Sequence, residues 1–169
     1  MWGFAHSNLQ FYFYDVGYLR TSSQQYNMDN TADEYIHLTN NCLQKKNACT
    51  FGIHEEGNVV SFEEFQQYLN EQFPQYDLDF NRDFLPRMKD IAIDCYLSAK
   101  NTINPTKRRN SFEFFGFDFM IDEDFRVWLL EVNTNPYIGI HNKGMSHILP
   151  TMFSDLFKIV LSPIFESGQ

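Results

Sequence analysis

The sequence predicts an α+β fold in which a largely antiparallel sheet is covered by helices, formed by residues 1–169 as a single domain. Short runs of alternating apolar and polar residues, rich in aromatic side chains, predict half-buried strands. Three longer stretches repeat apolar residues at intervals of three and four, which is typical of amphipathic helices. The chain has 43% hydrophobic residues and 18 Phe, enough for a large aromatic core.

Composition excludes several classes of protein. The formal net charge of -9 argues against a nucleic-acid-binding protein, because phosphate contacts need a basic surface. No apolar run approaches the roughly 20 residues of a transmembrane helix, so we expect no membrane association. Cys42, Cys49 and Cys95 lack the spacing of a disulfide framework, and with His54 they fit no common zinc motif. We expect ordinary thiols in a reducing, cytoplasmic compartment.

The first predicted strand is the aromatic run of residues 9–16, whereas residues 1–10 show no clear periodicity. Gly17 supplies a turn, and Arg20 follows it closely. Arg20 lies either at a solvated rim or against a phosphate, for which its rigid fork of donors is suited. Residues 21–34 are polar and predict a loop.

Residues 35–40 predict a short strand after that loop. In a strand, His37 and Thr39 share one face, and Ile36 and Leu38 pack on the other. Taken alone, a histidine in this position is usually a structural residue with satisfied hydrogen bonds.

Residues 61–73 predict the clearest helix. Ser61 and Glu64 form a capping-box pattern at its start, and aromatic and aliphatic residues recur at helical spacing. Residues 80–100 predict a second helix with Pro86 in its first turn. Its predicted apolar stripe consists of Met88, Ile91, Ala92, Cys95, Tyr96 and Ala99.

Residues 148–160 predict a third amphipathic helix, which we expect Pro163 to end. Residues 101–110 predict a polar loop, and residues 134–144 another. The expected buried side of the third helix consists of Ile148, Leu149, Met152, Phe153, Leu156, Phe157 and Val160. The tip of the loop at 101–110 is basic, with Lys107, Arg108 and Arg109. These cations form either a solvated surface or a contact for an acidic polypeptide.

Residues 114–136 predict a β-hairpin, because two apolar runs flank the polar tetrad at 122–125. A loop of two or four residues pairs even positions with odd ones, which places Asp118 on the same face as Glu131. The expected faces are Gly116, Asp118 and Met120 on the first strand, and Leu129, Glu131 and Asn133 on the second.

Asp118, Glu131 and Asn133 would then form a cluster of oxygen ligands. Buried carboxylates must be paired, protonated or bound to a cation. One or two carboxylates, with room for phosphate oxygens, describe a magnesium–nucleotide site. A polar face in plain contact with water explains the same pattern, so both interpretations remain open.

Three ordered motifs resemble one protein family. FGFDFM followed by WLLEVNTNP, the segment LRTSSQQY, and HLTNNCLQKK are similar to motifs of the tubulin-tyrosine ligase family, whose fold is of the ATP-grasp type. A further segment, EEGNVVSFEEFQQYL, resembles tubulin-tyrosine ligase more than its polyglutamylating relatives. The resemblance covers nearly all of the chain from about Tyr12 onward, although the tyrosine ligases diverge after EVN.

The resemblance implies a ligase that uses ATP and Mg²⁺. Such enzymes phosphorylate a carboxylate and let an amine attack the acyl-phosphate. By this resemblance Asp118, Glu131 and Asn133 hold the magnesium ion. The partners implied are the C-terminal tail of tubulin and a free amino acid, with tyrosine as the first expectation and glutamate or glycine as alternatives. A cytoskeletal location, the cilium included, follows.

The resemblance also implies roles for the earlier motifs. Arg20 would be catalytic and would steady the transferred phosphate or acyl-phosphate. Thr39, Asn40 and Lys45 would bind the nucleotide, with His37 orienting the loop.

The chain shows no glycine-rich phosphate loop and no upstream lysine-bearing lobe, so it resembles the C-terminal lobe of an ATP-grasp ligase. Two hypotheses follow. The parent protein is an active ligase, or this chain is a catalytically inactive relative that binds tubulin or another partner.

Overall fold

A computed structural model describes residues 1–6, 10–108, 110–140 and 143–166. They form an α+β structure, as predicted. The six strands are β1 (Trp2–His6), β2 (Phe11–Tyr14), β3 (Tyr18–Arg20), β4 (Val59–Ser61), β5 (Phe112–Ile121) and β6 (Val127–Asn133). The five α-helices are α1 (Glu34–His37), α2 (Asn41–Gln44), α3 (Phe62–Gln72), α4 (Leu85–Ile103) and α5 (Lys143–Glu166). None of the helices in the described ranges is both long and apolar enough to cross a membrane.

The main sheet is antiparallel and has the strand order β2-β1-β5-β6. Strands β3 and β4 form a separate antiparallel pair. Strand β1 was missed because residues 1–10 show no alternation, yet it lies between β2 and β5. A central strand is enclosed on both faces, so its sequence need not alternate. The strand predicted at 9–16 is β2, and Leu9 lies outside the described residues.

The predicted hairpin is confirmed, but its turn is not the one expected. Strands β5 and β6 are joined by the five residues 122–126, because Ile121 pairs with Val127. A five-residue turn pairs odd positions with odd ones. A bulge at Leu130 then shifts the register by one residue, so that Asp118 pairs with Glu131 after all.

The bulge also corrects one predicted face. Leu129 was expected to share a face with Glu131, but the inserted Leu130 places Leu129 on the opposite face. There Leu129 packs with Phe115, Phe117 and Ala92 of α4. On β6, the face that carries the predicted metal ligands therefore begins only at Glu131.

Helices cover both faces of the main sheet. Alternation along β2 points Phe11 and Phe13 toward one face, where Phe11 stacks on Tyr96 of α4 at a ring-centroid distance of 5.0 Å. Tyr12 and Tyr14 point toward α5 on the other face, together with Phe114. The sheet thus lies between α4 and α5.

Helix α3 confirms the predicted capping box. Ser61 Oγ accepts the Glu64 N–H at 3.1 Å, and the Glu64 carboxylate accepts the Ser61 N–H at 2.7 Å. Helix α4 begins one residue before Pro86, as predicted, and follows a π-helical turn at Phe80–Phe84. That turn packs against α3 through Leu69, Phe80 and Phe84.

Helix α5 is longer than predicted, since it runs from Lys143 to Glu166 and includes Pro163. A proline inside a helix removes one hydrogen bond, and α5 ends only three residues later. Phe157 was expected to be buried but is 46% exposed, whereas Met145 is buried. The buried side is Met145, Leu149, Met152, Leu156 and Val160, which contacts tyrosines of the first strands and Phe114.

The strand predicted at 35–40 is wrong. Asp33 Oδ1 accepts the Tyr35 N–H at 2.9 Å and begins the one-turn helix α1. Ile36 is buried, as expected, but Leu38 is 49% exposed. Helix α1 is too short to show a helical period in the sequence.

Candidate functional site

Asp118 and Glu131 lie side by side on the face of the hairpin that is turned away from α4. They are directly paired across β5 and β6, so their side chains leave the sheet on the same face. Asn133 Nδ2 donates to Asp118 Oδ2 at 3.2 Å and to Glu131 Oε1 at 3.1 Å. The structure thus brings together the three predicted metal ligands.

The two carboxyl groups titrate as a coupled pair. Burial raises the pKa of Asp118 most, the Arg20 guanidinium lowers it, and the hydrogen bond with Glu131 raises it again, with a net rise. The pKa of Glu131 is lowered, first by the hydrogen bond from Asn133 and then by the bond from Asp118. Asp118 therefore takes up a proton at a higher pH than Glu131 does.

Arg20 approaches this pair from the end of β3, where it is paired with Val59 of β4. Its guanidinium donates to the Tyr18 hydroxyl at 3.4 Å and lies 5.7 Å from the centroid of the Tyr18 ring. Burial lowers the pKa of Arg20, but Tyr18, Asp118 and Glu131 together raise it. Arg20 is therefore always charged, and its positive charge acts on both carboxylates.

Two buried side-chain amides connect the Arg20 strand to the segment that carries the HLTN motif. Asn58 Nδ2 donates to the Thr21 carbonyl at 3.3 Å and to Ser23 Oγ at 2.8 Å. Gln44 Oε1 accepts the Ser23 N–H at 3.1 Å, and Gln44 Nε2 donates to the Leu38 carbonyl. Sequence reasoning missed both residues, because a buried amide and a solvated amide have the same sequence signature.

Of the predicted nucleotide-binding residues, Thr39 and Asn40 lie between α1 and α2, and Lys45 lies at the end of α2. Asn40 Oδ1 accepts the Cys42 N–H at 2.9 Å and caps α2. Lys45 follows α2 at its C-cap, and its Nζ lies 5.9 Å from the Phe51 ring centroid. Thr39 is partly exposed in the extended link before Asn40. Roles of these three residues toward a nucleotide remain predictions.

His37 contacts the loop that precedes it. Its Nε2 lies 2.9 Å from the Asn30 carbonyl oxygen, and its ring meets the Tyr26 ring edge to face at 5.6 Å. These contacts fit the expected task of orienting the loop.

Gly116 fixes the segment that follows Asn133. A Cβ placed on Gly116 would lie 2.8 Å from the Pro136 Cβ and 3.8 Å from the Asn133 Cβ. The proline of the NTNP segment therefore packs directly on the backbone of β5, beside the carboxylate pair. A glycine is required here by close approach.

The donor set fits a magnesium ion that also binds phosphates. Asp118, Glu131 and the amide oxygen of Asn133 are hard oxygen ligands. Among the described residues, no group of three or more His, Cys, Asp or Glu side chains is arranged to hold a metal. Magnesium commonly uses one or two carboxylates plus substrate phosphates, so two carboxylates suffice for that mode of binding. Cys42, Cys49 and Cys95 are free thiols, as expected.

Comparison with known proteins identifies the family. A model described as the tubulin-tyrosine ligase family matches residues 1–169. Tubulin glycylase 3A of Drosophila melanogaster is 36% identical over 154 residues, which cover 89% of this chain and 15% of that protein. Protein monoglycylase TTLL8 of Homo sapiens is 34% identical over 164 residues, 95% of this chain and 19% of that protein.

Protein polyglycylase TTLL10 of Rattus norvegicus is 30% identical over 160 residues, 92% of this chain and 23% of that protein. The chain therefore spans less than a quarter of the length of these three relatives. Because the family model matches every residue from 1 to 169, the chain belongs to the tubulin-tyrosine ligase family.

Proposed function

We propose that this chain carries the metal site of an ATP- and Mg²⁺-dependent ligase that forms an amide bond between a carboxylate of tubulin and the amine of an amino acid. One observation carries the proposal. Asp118 and Glu131 are paired across the hairpin, and the positive charge of Arg20 acts on both. Two adjacent carboxylates destabilise each other unless a proton or a cation lies between them, which is why this arrangement suits a cation.

Asp118, Glu131 and Asn133 would hold the magnesium ion. Asn133 now donates its Nδ2 to both carboxylates, and a half-turn of its amide presents Oδ1 instead. When bound, magnesium neutralises negative charge on the nucleotide phosphates. Both carboxylates must be ionised to bind it, so we expect magnesium binding to weaken as the pH falls.

Arg20 would contact the transferred phosphoryl group. The reaction moves the terminal phosphoryl group of ATP to the acceptor carboxylate, and attack by the amine then releases phosphate as the amide bond forms. A guanidinium held against Tyr18 presents fixed donors to the charge that develops in these steps. Arg20 is therefore assigned a catalytic role.

Thr39, Asn40 and Lys45 would bind the nucleotide at the edge formed by α1 and α2. Asn41, the next residue after Asn40, is buried, and its side-chain Nδ2 and Oδ1 have no hydrogen-bond partner among the described residues. An unsatisfied buried amide costs about 1–3 kcal/mol, which a polar ligand group at this edge would offset. The amides of Asn58 and Gln44 hold this edge against the Arg20 strand.

Glycine is the amino acid that the relatives favour. The segment at 55–69 suggested tyrosine, but the similar proteins are named glycylases. We therefore replace the first expectation of tyrosine by glycine and retain tubulin as the acceptor. A cytoplasmic, cytoskeletal location accords with such an acceptor.

The fold supports assignment to the C-terminal lobe of an ATP-grasp ligase, since the proposed ligands project from one face of an antiparallel sheet. A domain that only binds a partner has no need for a paired Asp118 and Glu131, in which burial and then the hydrogen bond with Glu131 raise the pKa of Asp118. The intact pair thus favours a catalytic parent protein over an inactive relative.

Transfer of labelled amino acid to tubulin tests the proposal. The protein, tubulin, ATP and Mg²⁺ are incubated with labelled glycine or labelled tyrosine, with and without chelator. We expect incorporation of glycine that needs ATP and Mg²⁺. Incorporation of tyrosine in place of glycine would contradict the amino-acid assignment, and incorporation that persists without Mg²⁺ would contradict the metal site.

A further inference from the structure

The loop of residues 104–111, which we term the basic loop, concentrates positive charge in an acidic chain. Lys107, Arg108 and Arg109 are consecutive, and they supply three of the 13 Lys and Arg residues of a chain whose net charge is -9. Arg109 lies outside the described residues. The like charges in such a run repel one another. In one short loop they must therefore be solvated or contact an anionic partner.

In the basic loop, side-chain hydrogen bonds hold the backbone at Arg108. Asn104 Oδ1 accepts the Arg108 N–H at 2.8 Å, and Asn104 Nδ2 donates to the Arg108 carbonyl at 3.1 Å. Ser111 Oγ donates to the same carbonyl at 3.2 Å. Lys107 has a φ value of 51°, a left-handed conformation that is costly for a lysine, whereas Asn110, with a φ value of 50°, is of a residue type that tolerates it.

Strain of this kind persists only when surrounding bonds impose it, and it is concentrated at binding sites. Here the bonds of Asn104 impose it, and the result is that two neighbouring cations are presented from a turn that these bonds hold. Both Lys107 and Arg108 are exposed, and neither forms an ion pair with another described residue. Lys100 lies one helical turn before Asn104 and is also exposed.

The basic loop leads directly into β5, the strand that carries Asp118. Phe112 begins β5, and Asp118 follows six residues later, about 20 Å along an extended strand. An extended peptide covers the same distance in about six residues. A peptide whose acceptor carboxylate lies at the metal site can therefore place a second group of acidic side chains at the basic loop.

We infer that the basic loop is a docking surface for an acidic peptide segment, Lys107 and Arg108 binding its carboxylates outside the active site. Its link to catalysis rests on the proposed function, but its affinity for acidic peptide does not. A nucleic acid is disfavoured, because phosphate binding along a duplex or strand requires many cations and the rest of this chain is acidic. A short acidic peptide needs only local charge complementarity.

Fluorescence anisotropy tests the inference. The chain is titrated into a labelled glutamate-rich peptide and into its glutamine counterpart, without ATP, at low and at physiological salt. We expect binding of the glutamate peptide that weakens with salt. The double variant Lys107→Gln/Arg108→Gln should weaken it about three- to tenfold, as the loss of two exposed ion pairs implies.

A matched double variant tests whether the affinity for the peptide depends on the basic loop or on the net charge of the whole chain. Arg87→Gln/Lys158→Gln removes the same two charges from exposed positions of α4 and α5 and should leave the affinity within about twofold. Equal loss in both double variants, or no loss in the loop variant, would overturn the inference. So would tighter binding of a single-stranded oligonucleotide that depends on the same two residues. Because no nucleotide is added, failure here is distinct from failure of the metal site.

Discussion

Asp122 lies at the turn of the hairpin of β5 and β6, Asp118 lies near its middle, and the surroundings of these two aspartates are opposite. At the turn, Asp122 Oδ1 accepts N–H groups of Asp124 and Arg126, and Asp122 Oδ2 accepts the Trp128 Nε1–H at 2.7 Å. These donors lower the pKa of Asp122, the Trp128 bond most. At the middle, Asp118 is half-buried and meets another carboxylate, and its pKa is raised.

The difference fits a structural role for Asp122 and the proposed metal-binding role for Asp118. Asp122 is saturated with donors from its own turn, so it stabilises the hairpin and has little capacity for a ligand. Asp118 faces a second carboxylate and one shared amide, and the charge of Arg20 offsets this only in part, so a bound cation would stabilise its ionised form. Asp118 and Asp122 lie four residues apart on one hairpin. A substitution at one of them is therefore a control for the same substitution at the other.

The largest expected difference between substitutions at Asp118 and at Asp122 is in the rate of amino-acid transfer. Asp118→Asn and Glu131→Gln should each lower the rate of transfer to tubulin by about 10² to 10³, as expected when a group that organises transition-state charge is removed. Asp122→Asn should leave the rate within about twofold. Similar losses for Asp118→Asn and Asp122→Asn, with all variants folded by circular dichroism, would remove the distinction.

Gly116→Ala should disturb the Asp118 end by displacing Pro136. The new Cβ would lie 2.8 Å from the Pro136 Cβ, and overpacking of this kind costs about 1–3 kcal/mol in the free energy of unfolding. Urea denaturation measures it.

Pro136→Gly supplies the matched background for Gly116→Ala because it removes the clashing Cβ. In that background the cost of Gly116→Ala should fall to less than half. An undiminished cost would show that the contact with Pro136 is not its cause.

The two aspartates should have opposite effects on the pH dependence of stability. The pKa of Asp122 is lowered by folding, so its contribution is present above its unfolded pKa of about 3.9 and is lost as pH falls through the folded value. The pKa of Asp118 is raised by folding, so its ionisation destabilises the protein as pH rises through that value.

Thermal unfolding, measured from acidic to neutral pH, therefore distinguishes Asp118→Asn from Asp122→Asn. Asp118→Asn should raise the Tm at neutral pH without added metal, and Asp122→Asn should lower it. A fall in Tm for both variants at neutral pH would show that Asp118 is a structural residue like Asp122.

The smallest effect is expected from Trp128→Phe. It removes the Nε1–H donor to Asp122 and leaves an aromatic ring at a position that is 54% exposed. The Tm should fall slightly at neutral pH and not at all below the pKa of Asp122. Met120→Leu, at the position paired with Trp128, is the control and should leave both values unchanged.

The sequence predicted the parts of the site that depend on alternation and on local motifs. The hairpin, the Ser61 cap and the Pro86 start of α4 are local signals, and the structure confirms them. Asp118 and Glu131 were correctly placed on one face, but for an incomplete reason, since the five-residue turn and the bulge at Leu130 compensate each other. No residue type in the sequence predicts the five-residue turn or the bulge.

Other features depend on tertiary contacts that a sequence does not display. Strand β1 lies between β2 and β5 and shows no alternation. Helix α5 includes Pro163, which was expected to end it, and its buried side packs against residues of the sheet. Gln44 and Asn58 connect the Arg20 strand to the HLTN segment only because the fold buries them.

Titration calorimetry of the 169-residue chain with Mg²⁺ and a nonhydrolysable ATP analogue tests the central claim most directly. Wild type, Asp118→Asn and Asp122→Asn are compared under one set of conditions. We predict micromolar binding of the ATP analogue by the wild-type chain and by Asp122→Asn. We expect Asp118→Asn to lose this binding. No binding by a well-folded wild-type chain, or equal binding by Asp118→Asn, would contradict the assignment of the Asp118–Glu131 pair as a magnesium–nucleotide site.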